Sequence, residues 1–215
     1  MAFTARLFYF CLMKELSFDV KNILGLKLPS DPRWVNLAEL QLDEILTDHA
    51  YCEQKAATTC ISLITKNPEK ELLVEELAPI VTEEWGHFRA VIAELKKRNL
   101  KLGKQRKDVY VNSLLQFQKK DGSPQERFLD QMLIMALIEA RSCERFKRLS
   151  EGLDDAYMRN FYRRFMESEA GHYTLFITLA EHYLDKKIVR NRWAEWLKYE
   201  KELMKEMEIR GDRIH

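Results

Sequence analysis

The sequence has few residues that break helices. It contains only seven Gly and five Pro in 215 residues, while 46% of the residues are hydrophobic and 32% are charged. Leu, Glu, Lys and Ala, which favour helices, are abundant. This composition indicates a mainly helical protein. The length suits one domain over residues 1–215 with a core of its own.

The sequence also has little cysteine, and its cysteines follow no ligand spacing. The four are Cys11, Cys52, Cys60 and Cys143, and no C-x-x-C pair occurs. This pattern argues against a metal ribbon and against a disulfide framework. We therefore expect a reduced, intracellular chain.

Long apolar runs and a large net charge are missing as well. No run approaches the 18 or more apolar residues of a membrane span, and the short stretch 7–13 lacks a cleavage site of small residues. We expect a soluble cytoplasmic protein. The formal net charge of +1 restricts any nucleic-acid surface to a local patch.

Turn residues divide the chain into long periodic runs. Pro29–Pro32, Asn67-Pro68, Asn99–Gly103, Asp121–Pro124 and Gly152–Asp154 mark the stops. The long runs cover about 36–66, 69–99, 124–151 and 153–184, and shorter helices are expected near 108–119 and 187–209. Pro79 should kink or split the second run.

Short turns within each pair of runs, and a longer connection between the pairs, predict two antiparallel helical hairpins. This is the arrangement of a ferritin-like four-helix bundle. The sequence thus predicts an all-α fold with a core at about 36–184 and extra N-terminal, crossover and C-terminal helices.

Carboxylates and imidazoles fall on the apolar stripes of these four runs. Buried carboxylates repel one another unless protons or cations neutralise them. In di-metal carboxylate bundles, two helices each give one Glu and two give Glu-x-x-His. The matching residues are Glu53, Glu84, His87, Glu139, Glu169 and His172. Such ligands suit iron or manganese, and ligand type alone does not separate the two.

An internal repeat supports this site. Glu53 and Glu139 are 86 residues apart, and His87 and His172 are 85 apart, as are the two Glu residues of the Glu-x-x-His motifs. Glu144 competes with Glu139 on the third run, but Glu139 keeps the repeat spacing. His49, one turn before Glu53, is a candidate to support the ligands from behind, and a simple core histidine is the alternative.

Four segments resemble the MiaE-type tRNA hydroxylases. They are DHAYCEQKAA (48–57), EEWGHF (83–88), IEARSCERF (138–146) and SEAGHY (168–173). The resemblance spans about residues 36–184. It implies a ferritin-like non-haem di-iron monooxygenase with iron ligands at the same six positions. Arg141 and Glu144 match the motif and are candidates for a supporting salt bridge or a substrate contact.

The resemblance also implies a reaction. Members of this family use O2 and electrons from an external donor to hydroxylate the isopentenyl side chain of 2-methylthio-N6-isopentenyl adenosine in tRNA. The sequence does not identify the electron-donor protein or reductant, and it leaves the oligomeric state open.

One basic stretch could meet tRNA phosphates. It contains no acid between residues 96 and 107 and carries Lys96, Lys97, Arg98, Lys101, Lys104, Arg106 and Lys107. A solvated helix end is the alternative interpretation, since cations favour helix C-termini.

Two other functions remain open from the sequence. The first is a ferritin-like di-metal oxidase or hydroxylase that acts on another small substrate, because ligands report chemistry and not substrate. The second is a metal-free helical interaction module, which would contain no iron after purification.

Overall fold

The computed structural model describes residues 25–215, and all regular secondary structure in that part is helical. The helices are α1 (Trp34–Glu39), α2 (Leu42–Lys66), α3 (Glu71–Lys97), α4 (Val109–Phe117), α5 (Pro124–Gly152), α6 (Ala156–Tyr183) and α7 (Lys186–Glu206). The predicted all-α fold is thereby confirmed. Cys11 lies outside the described residues, and so does most of the N-terminal segment for which a helix was expected. No helix of residues 25–215 has both the length and the apolar character to cross a membrane.

The helix starts follow capping chemistry that the sequence shows. Ser123 and Glu126 form a reciprocal capping box ahead of Pro124, with N···O distances of 3.2 and 2.9 Å. Asp155 caps α6 in the same role, as its carboxylate accepts from the N–H of Tyr157 at 2.8 Å. These caps fix where the long helices begin, and so fix the register of the residues that they carry.

The first predicted run is broken into two helices. Gln41 leaves helical geometry (φ −128°, ψ 41°) between α1 and α2, although no Gly or Pro stands there. A tertiary contact lies just before this break. The segment after α7 crosses α1 so closely that a Cβ at Gly211 would lie 2.2 Å from the carbonyl oxygen of Leu37. Pro79, in contrast, does not split α3, which runs unbroken from Glu71 to Lys97.

Two hairpins form the bundle, α2 with α3 and α5 with α6, and α3 and α6 meet between them. Besides a small group of Ala140, Cys143 and Ala170, the core consists of two large apolar clusters. One contains Leu63 and Leu77 together with Phe176, and the other contains Leu46 and Phe165. The order of the clusters reverses from one helix of a hairpin to the next, as antiparallel packing requires. On each of the four long helices, the Glu and His residues predicted as metal ligands lie between residues of one large cluster and residues of the other.

Helix α7 closes one side of the bundle through buried polar contacts. Arg192 Nε and Trp196 Nε1 both donate to Asp130 Oδ1 on α5, at 2.7 and 3.0 Å. Residues 207–215 then return across the bundle. The carbonyl of Arg210 accepts from Trp34 Nε1 at 2.9 Å, and Ile214 N donates to Asp48 Oδ2 at 2.8 Å. The residues after α7 thus bind back to α1 and α2.

Candidate metal centre

The six predicted ligands come together in one polar layer between the two apolar clusters. Helix α2 contributes one residue, α3 two, α5 one and α6 two. Five of the six are at most 3% exposed, and the side chain of His87 is 17% exposed. The residues are Glu53, Glu84, His87, Glu139, Glu169 and His172.

The layer contains two overlapping groups of donor atoms, each within 4.8 Å. Glu53 and His87 belong to one group, and Glu139 and His172 belong to the other. Glu84 and a carboxylate from α6, Glu169, belong to both. The two groups thus share the carboxylates of the two Glu-x-x-His motifs, a division of roles that spacing alone did not reveal.

Distances inside the layer are short. Nδ1 of His172 lies 2.6 Å from Oε1 of Glu84 and 3.3 Å from Oε2 of Glu169. Nδ1 of His87 lies 3.5 Å from Oε2 of Glu53 and 3.4 Å from Oε2 of Glu84. The donors of both Glu-x-x-His motifs therefore face each other across the bundle axis.

These buried polar atoms lack ordinary partners. Within the described residues, neither oxygen of Glu84 or Glu169 and neither ring nitrogen of His172 makes a hydrogen bond of normal geometry. Buried polar groups are almost always hydrogen-bonded, so a convergent set of orphaned carboxylate and imidazole atoms needs another partner. Two cations bound by carboxylate oxygen and imidazole nitrogen fit this donor set.

The electrostatics of the layer point the same way. Burial, together with the nearby carboxylates of Glu84 and Glu169, raises the pKa of Glu53 well above its usual range. Burial and Glu169 do the same to the pKa of Glu139. Burial opposes the charge of His87, but Glu53 and Glu84 outweigh it and raise the pKa of that imidazole to about 11. The layer requires compensating positive charge.

His49 lies directly behind Glu53. Its Nε2 is 2.6 Å from Oε1 of Glu53, and burial holds its pKa well below the usual range, so the ring is neutral. The ring is enclosed by aromatic residues, with Phe165 at 4.5 Å and Phe146 at 4.6 Å between ring centroids. A neutral imidazole caged in this way can orient the Glu53 carboxylate.

Glu83 is a supporting residue that sequence reasoning missed. Its Oε2 lies 3.6 Å from Nε2 of His172, and its Oε1 accepts from Ser168 Oγ at 2.5 Å. A carboxylate behind a ligating histidine fixes the tautomer and orientation of the ring. The doubled Glu of the EEWGHF segment was the available signal.

Arg141 and Glu144 lie outside the layer. Arg141 contacts Glu200 on α7 through two nitrogens, one of them Nε at 2.9 Å, and its Nη1 donates to Glu144 Oε2 at 3.1 Å. Glu144 also accepts from the N–H of Ser30 at 3.1 Å. Within residues 25–215, no hydrogen bond or ion pair connects Arg141 or Glu144 with the six residues of the layer. They form a buried network that joins α5 to α7 and to residues 28–30.

The basic stretch divides into tied and free cations. Arg98 pairs with Glu94 and Asp155 at 2.6 and 3.1 Å, and Arg106 contacts Glu44 and Asp212. The Nζ atom of Lys97 lies 3.6 Å from the ring centre of Tyr157. The remaining cations are exposed: Lys96, Lys101, Lys104 and Lys107.

Comparisons with known proteins agree with this fold. A solved structure titled "Protein 43 with aldehyde deformylating oxygenase activity from Synechococcus" superimposes with a TM-score of 0.83 and 32% identity, over 88% of this chain and 94% of that chain. This likeness supports the ferritin-like bundle.

Two curated relatives share a name, tRNA 2-(methylsulfanyl)-N(6)-isopentenyladenosine(37) hydroxylase. The protein from Pseudomonas putida is 33% identical over 168 residues, 78% of this chain and 80% of that protein. The protein from Salmonella typhimurium is 26% identical over 205 residues, 73% of this chain and 75% of that protein. The family model described as tRNA-(MS[2]IO[6]A)-hydroxylase (MiaE) matches residues 18–215. The chain therefore belongs to the MiaE family of tRNA hydroxylases.

Proposed function

We propose that this protein is a non-haem di-iron monooxygenase that hydroxylates the isopentenyl side chain of 2-methylthio-N6-isopentenyl adenosine in tRNA. The observation that carries the proposal is the pair of overlapping carboxylate–histidine groups in a chain of the MiaE family. The reaction takes O2 and electrons from an external donor. We propose that residues 1–215 act as one domain.

Six residues would hold two iron ions. Glu53 and His87 would bind one, Glu139 and His172 the other, with the carboxylates common to both groups between them. Bound iron would supply the oxygen activation and the oxidation of an unactivated C–H bond, which no side chain provides. Manganese would suit the same donors, so metal analysis of the purified protein decides between them.

The surrounding residues hold the ligands and exclude water. His49 orients Glu53, and Glu83 orients His172, because each lies on the far side of its ligand. Phe165, 4% exposed, has its ring centre 4.9 Å from that of His87 and forms an apolar wall beside it. An apolar wall suits a prenyl side chain and protects the reactive site from solvent.

The exposed face of α3 offers a route for the modified base. His87 is the most exposed of the six proposed ligands, and Trp85, two residues before it in α3, is 47% exposed. Trp85 and Phe88 stack with centroids 4.8 Å apart at 24°. Single-stranded RNA loops are recognised by stacking of unpaired bases on such rings, and an enzyme that modifies a base must take it out of its stack. The free lysines beyond the end of α3 could contact the neighbouring phosphates.

The test is a reaction with a defined product. Iron-loaded protein, a chemical or protein reductant and O2 are incubated with tRNA that carries the prenylated base, and the nucleosides are analysed by mass spectrometry. We expect the base to gain one oxygen atom, and we expect Glu169→Ala protein to give none. Iron-loaded protein that consumes electrons and O2 but never modifies this tRNA would contradict the proposal.

A second candidate is an oxygenase that acts on a small aldehyde. It is favoured only by the solved structure, which shares the fold and 32% identity and whose title names aldehyde deformylating oxygenase activity. The same reaction mixture with a fatty aldehyde in place of tRNA separates the two. Conversion of the aldehyde without modification of the tRNA would favour this candidate.

A further inference from the structure

A second group of metal-binding side chains lies outside the carboxylate layer. It consists of Cys52 on α2, Asp108 at the start of α4, and His215 in the segment after α7. One donor atom from each lies within 4.8 Å of the other two. Cys52 and Glu53 are neighbours in α2, about 100° apart around the helix, so they project toward different surroundings.

The His215 ring is fixed with one nitrogen toward the thiol. Its Nε2 lies 2.8 Å from the hydroxyl oxygen of Ser142, and its ring stacks on Tyr110 with centroids 5.2 Å apart at 22°. When Nε2–H donates to Ser142, the lone pair of Nδ1 is free. That Nδ1 lies 3.8 Å from Sγ of Cys52. A histidine held by a hydrogen bond on its far nitrogen is the usual arrangement of a metal ligand.

The carboxylate of Asp108 is the third member of this group. Asp108 caps α4 by accepting from the N–H of Val111 at 3.0 Å, which holds its carboxylate in place. The Asp108 side chain is 17% exposed, so an ion can enter from solvent. One thiolate, one imidazole and carboxylate oxygen are ligands that Zn²⁺ takes in proteins.

We propose that Cys52, Asp108 and His215 bind one Zn²⁺ ion, separate from the carboxylate layer. The ion replaces the thiol proton of Cys52, which passes to solvent. It joins α2, the start of α4 and the segment after α7. Since Ser142 follows Glu139 by one turn of α5, the ion also fixes that segment beside the helix that carries Glu139.

The positive charge of Lys55 predicts the direction in which a substitution there should change metal affinity. Its Nζ contacts Oδ2 of Asp108, and its side chain is 31% exposed. The ammonium group competes with a cation for the carboxylate. Replacing it with an uncharged side chain should therefore tighten metal binding by at least about fivefold, the factor expected for one unit charge near 4 Å in a largely aqueous setting.

Cobalt(II) separates this site from the carboxylate layer, because only a thiolate ligand gives an intense near-ultraviolet charge-transfer band. Metal-free, reduced full-length protein is titrated with Co²⁺, and Zn²⁺ is then added to displace it. We expect the band in the unaltered protein and in Glu84→Gln. We expect it to be lost in Cys52→Ser and weakened in His215→Gln. Lys55→Met should reach half saturation at a lower Co²⁺ concentration.

Cys143→Ser is the matched control, since Cys143 is a buried cysteine outside the group and donates to the carbonyl of Met166 at 3.3 Å. It should keep the band. Circular dichroism checks that each variant is folded. A band that is absent from both the unaltered protein and Lys55→Met, or one that survives Cys52→Ser, would overturn the proposal. Loss of tRNA hydroxylation has no bearing on it, because the readout involves no turnover.

Discussion

At the scale of single residues, Glu84 and Glu169 differ from the other four residues of the layer. Each belongs to both donor groups, whereas Glu53, Glu139 and the two histidines belong to one group each. For the proposed pair of ions, removal of a shared carboxylate should affect both, and removal of an unshared one should affect mainly its own. The chemical type of the residue is the same in both cases, so only its position explains the difference.

Glu84→Ala should therefore leave almost no iron bound, whereas Glu139→Ala should keep about one ion per chain. Glu94→Gln is the control, since Glu94 is buried on the same helix as Glu84 but pairs with Arg98 and Tyr157. It should keep both ions. Metal analysis after gel filtration measures the ratio. Equal iron content in Glu84→Ala and Glu139→Ala would contradict the shared role.

Trp85 is the second residue whose position matters. We expect the exposed ring of Trp85, stacked on Phe88, to serve as a platform for a base, and stacking contributes about 1–3 kcal/mol per base. Trp85→Ala should weaken tRNA binding by about tenfold or more, and Trp85→Phe should retain most of the affinity. Fluorescence anisotropy with labelled anticodon stem-loop RNA tests this. Unchanged binding by Trp85→Ala would remove the platform.

At the scale of helices, buried ion pairs between charged side chains join α7 to α5. The Arg141 side chain is fully buried and pairs with Glu200 and Glu144. Leaving a buried charge without its partner is expensive, while an exposed pair contributes little. The ion pairs of α7 should therefore contribute differently to the stability of the fold, according to their burial.

Arg141→Met should lower the free energy of unfolding by about 3–5 kcal/mol, since it leaves Glu200 buried without its partner. The matched substitution Arg190→Met removes an exposed pair, as the Arg190 side chain is 72% exposed beside Glu181. It should cost about 1 kcal/mol or less. Urea unfolding followed by circular dichroism measures both, and equal effects would refute the buried network as a source of stability.

The helices were predictable because their signals are local. Ser123, Glu126 and Pro124 lie within one turn and mark the start of α5. The break at Gln41 was missed because no Gly or Pro marks it, and Gly211, which packs on Leu37 just before the break, is 174 residues away from Leu37 in the sequence. Pro79 does not split α3, and the expectation of a kink in this helix stays a prediction.

In the candidate site, too, some features were predictable from the sequence and others were not. The six residues of the layer were predictable from helical periodicity and from the 85–86-residue repeat, because each lies on the apolar stripe of its own helix. The sharing of Glu84 and Glu169, and the meeting of Cys52 with Asp108 and His215, depend on how separate elements pack. No spacing within one helix contains that information.

At the scale of the whole molecule, charge is concentrated although the formal net charge is only +1. Lys96, Lys101, Lys104 and Lys107 are exposed near the end of α3, while Arg98 and Arg106 are tied in ion pairs. We expect an RNA backbone to contact these free cations and to release counterions at each contact. Affinity for tRNA should therefore depend on this segment and on salt.

Charge reversal of Lys97, Lys101 and Lys104 to Glu should weaken tRNA binding by about tenfold or more and flatten its dependence on salt concentration. Reversal of Lys187 and Lys198, which are exposed on α7, is the control and should change affinity little. Binding curves at several salt concentrations give both quantities. An unchanged salt slope would show that the phosphates lie elsewhere.

The unequal exposure of His87 and His172 has a kinetic consequence for the proposed iron pair. His87 is 17% exposed, whereas His172 is 3% exposed and has Glu83 behind it. Water and a chelator can reach the group of Glu53 and His87 more easily than the group of Glu139 and His172. Iron should therefore leave the folded protein in two phases, a fast one for the outer ion and a slow one for the inner ion.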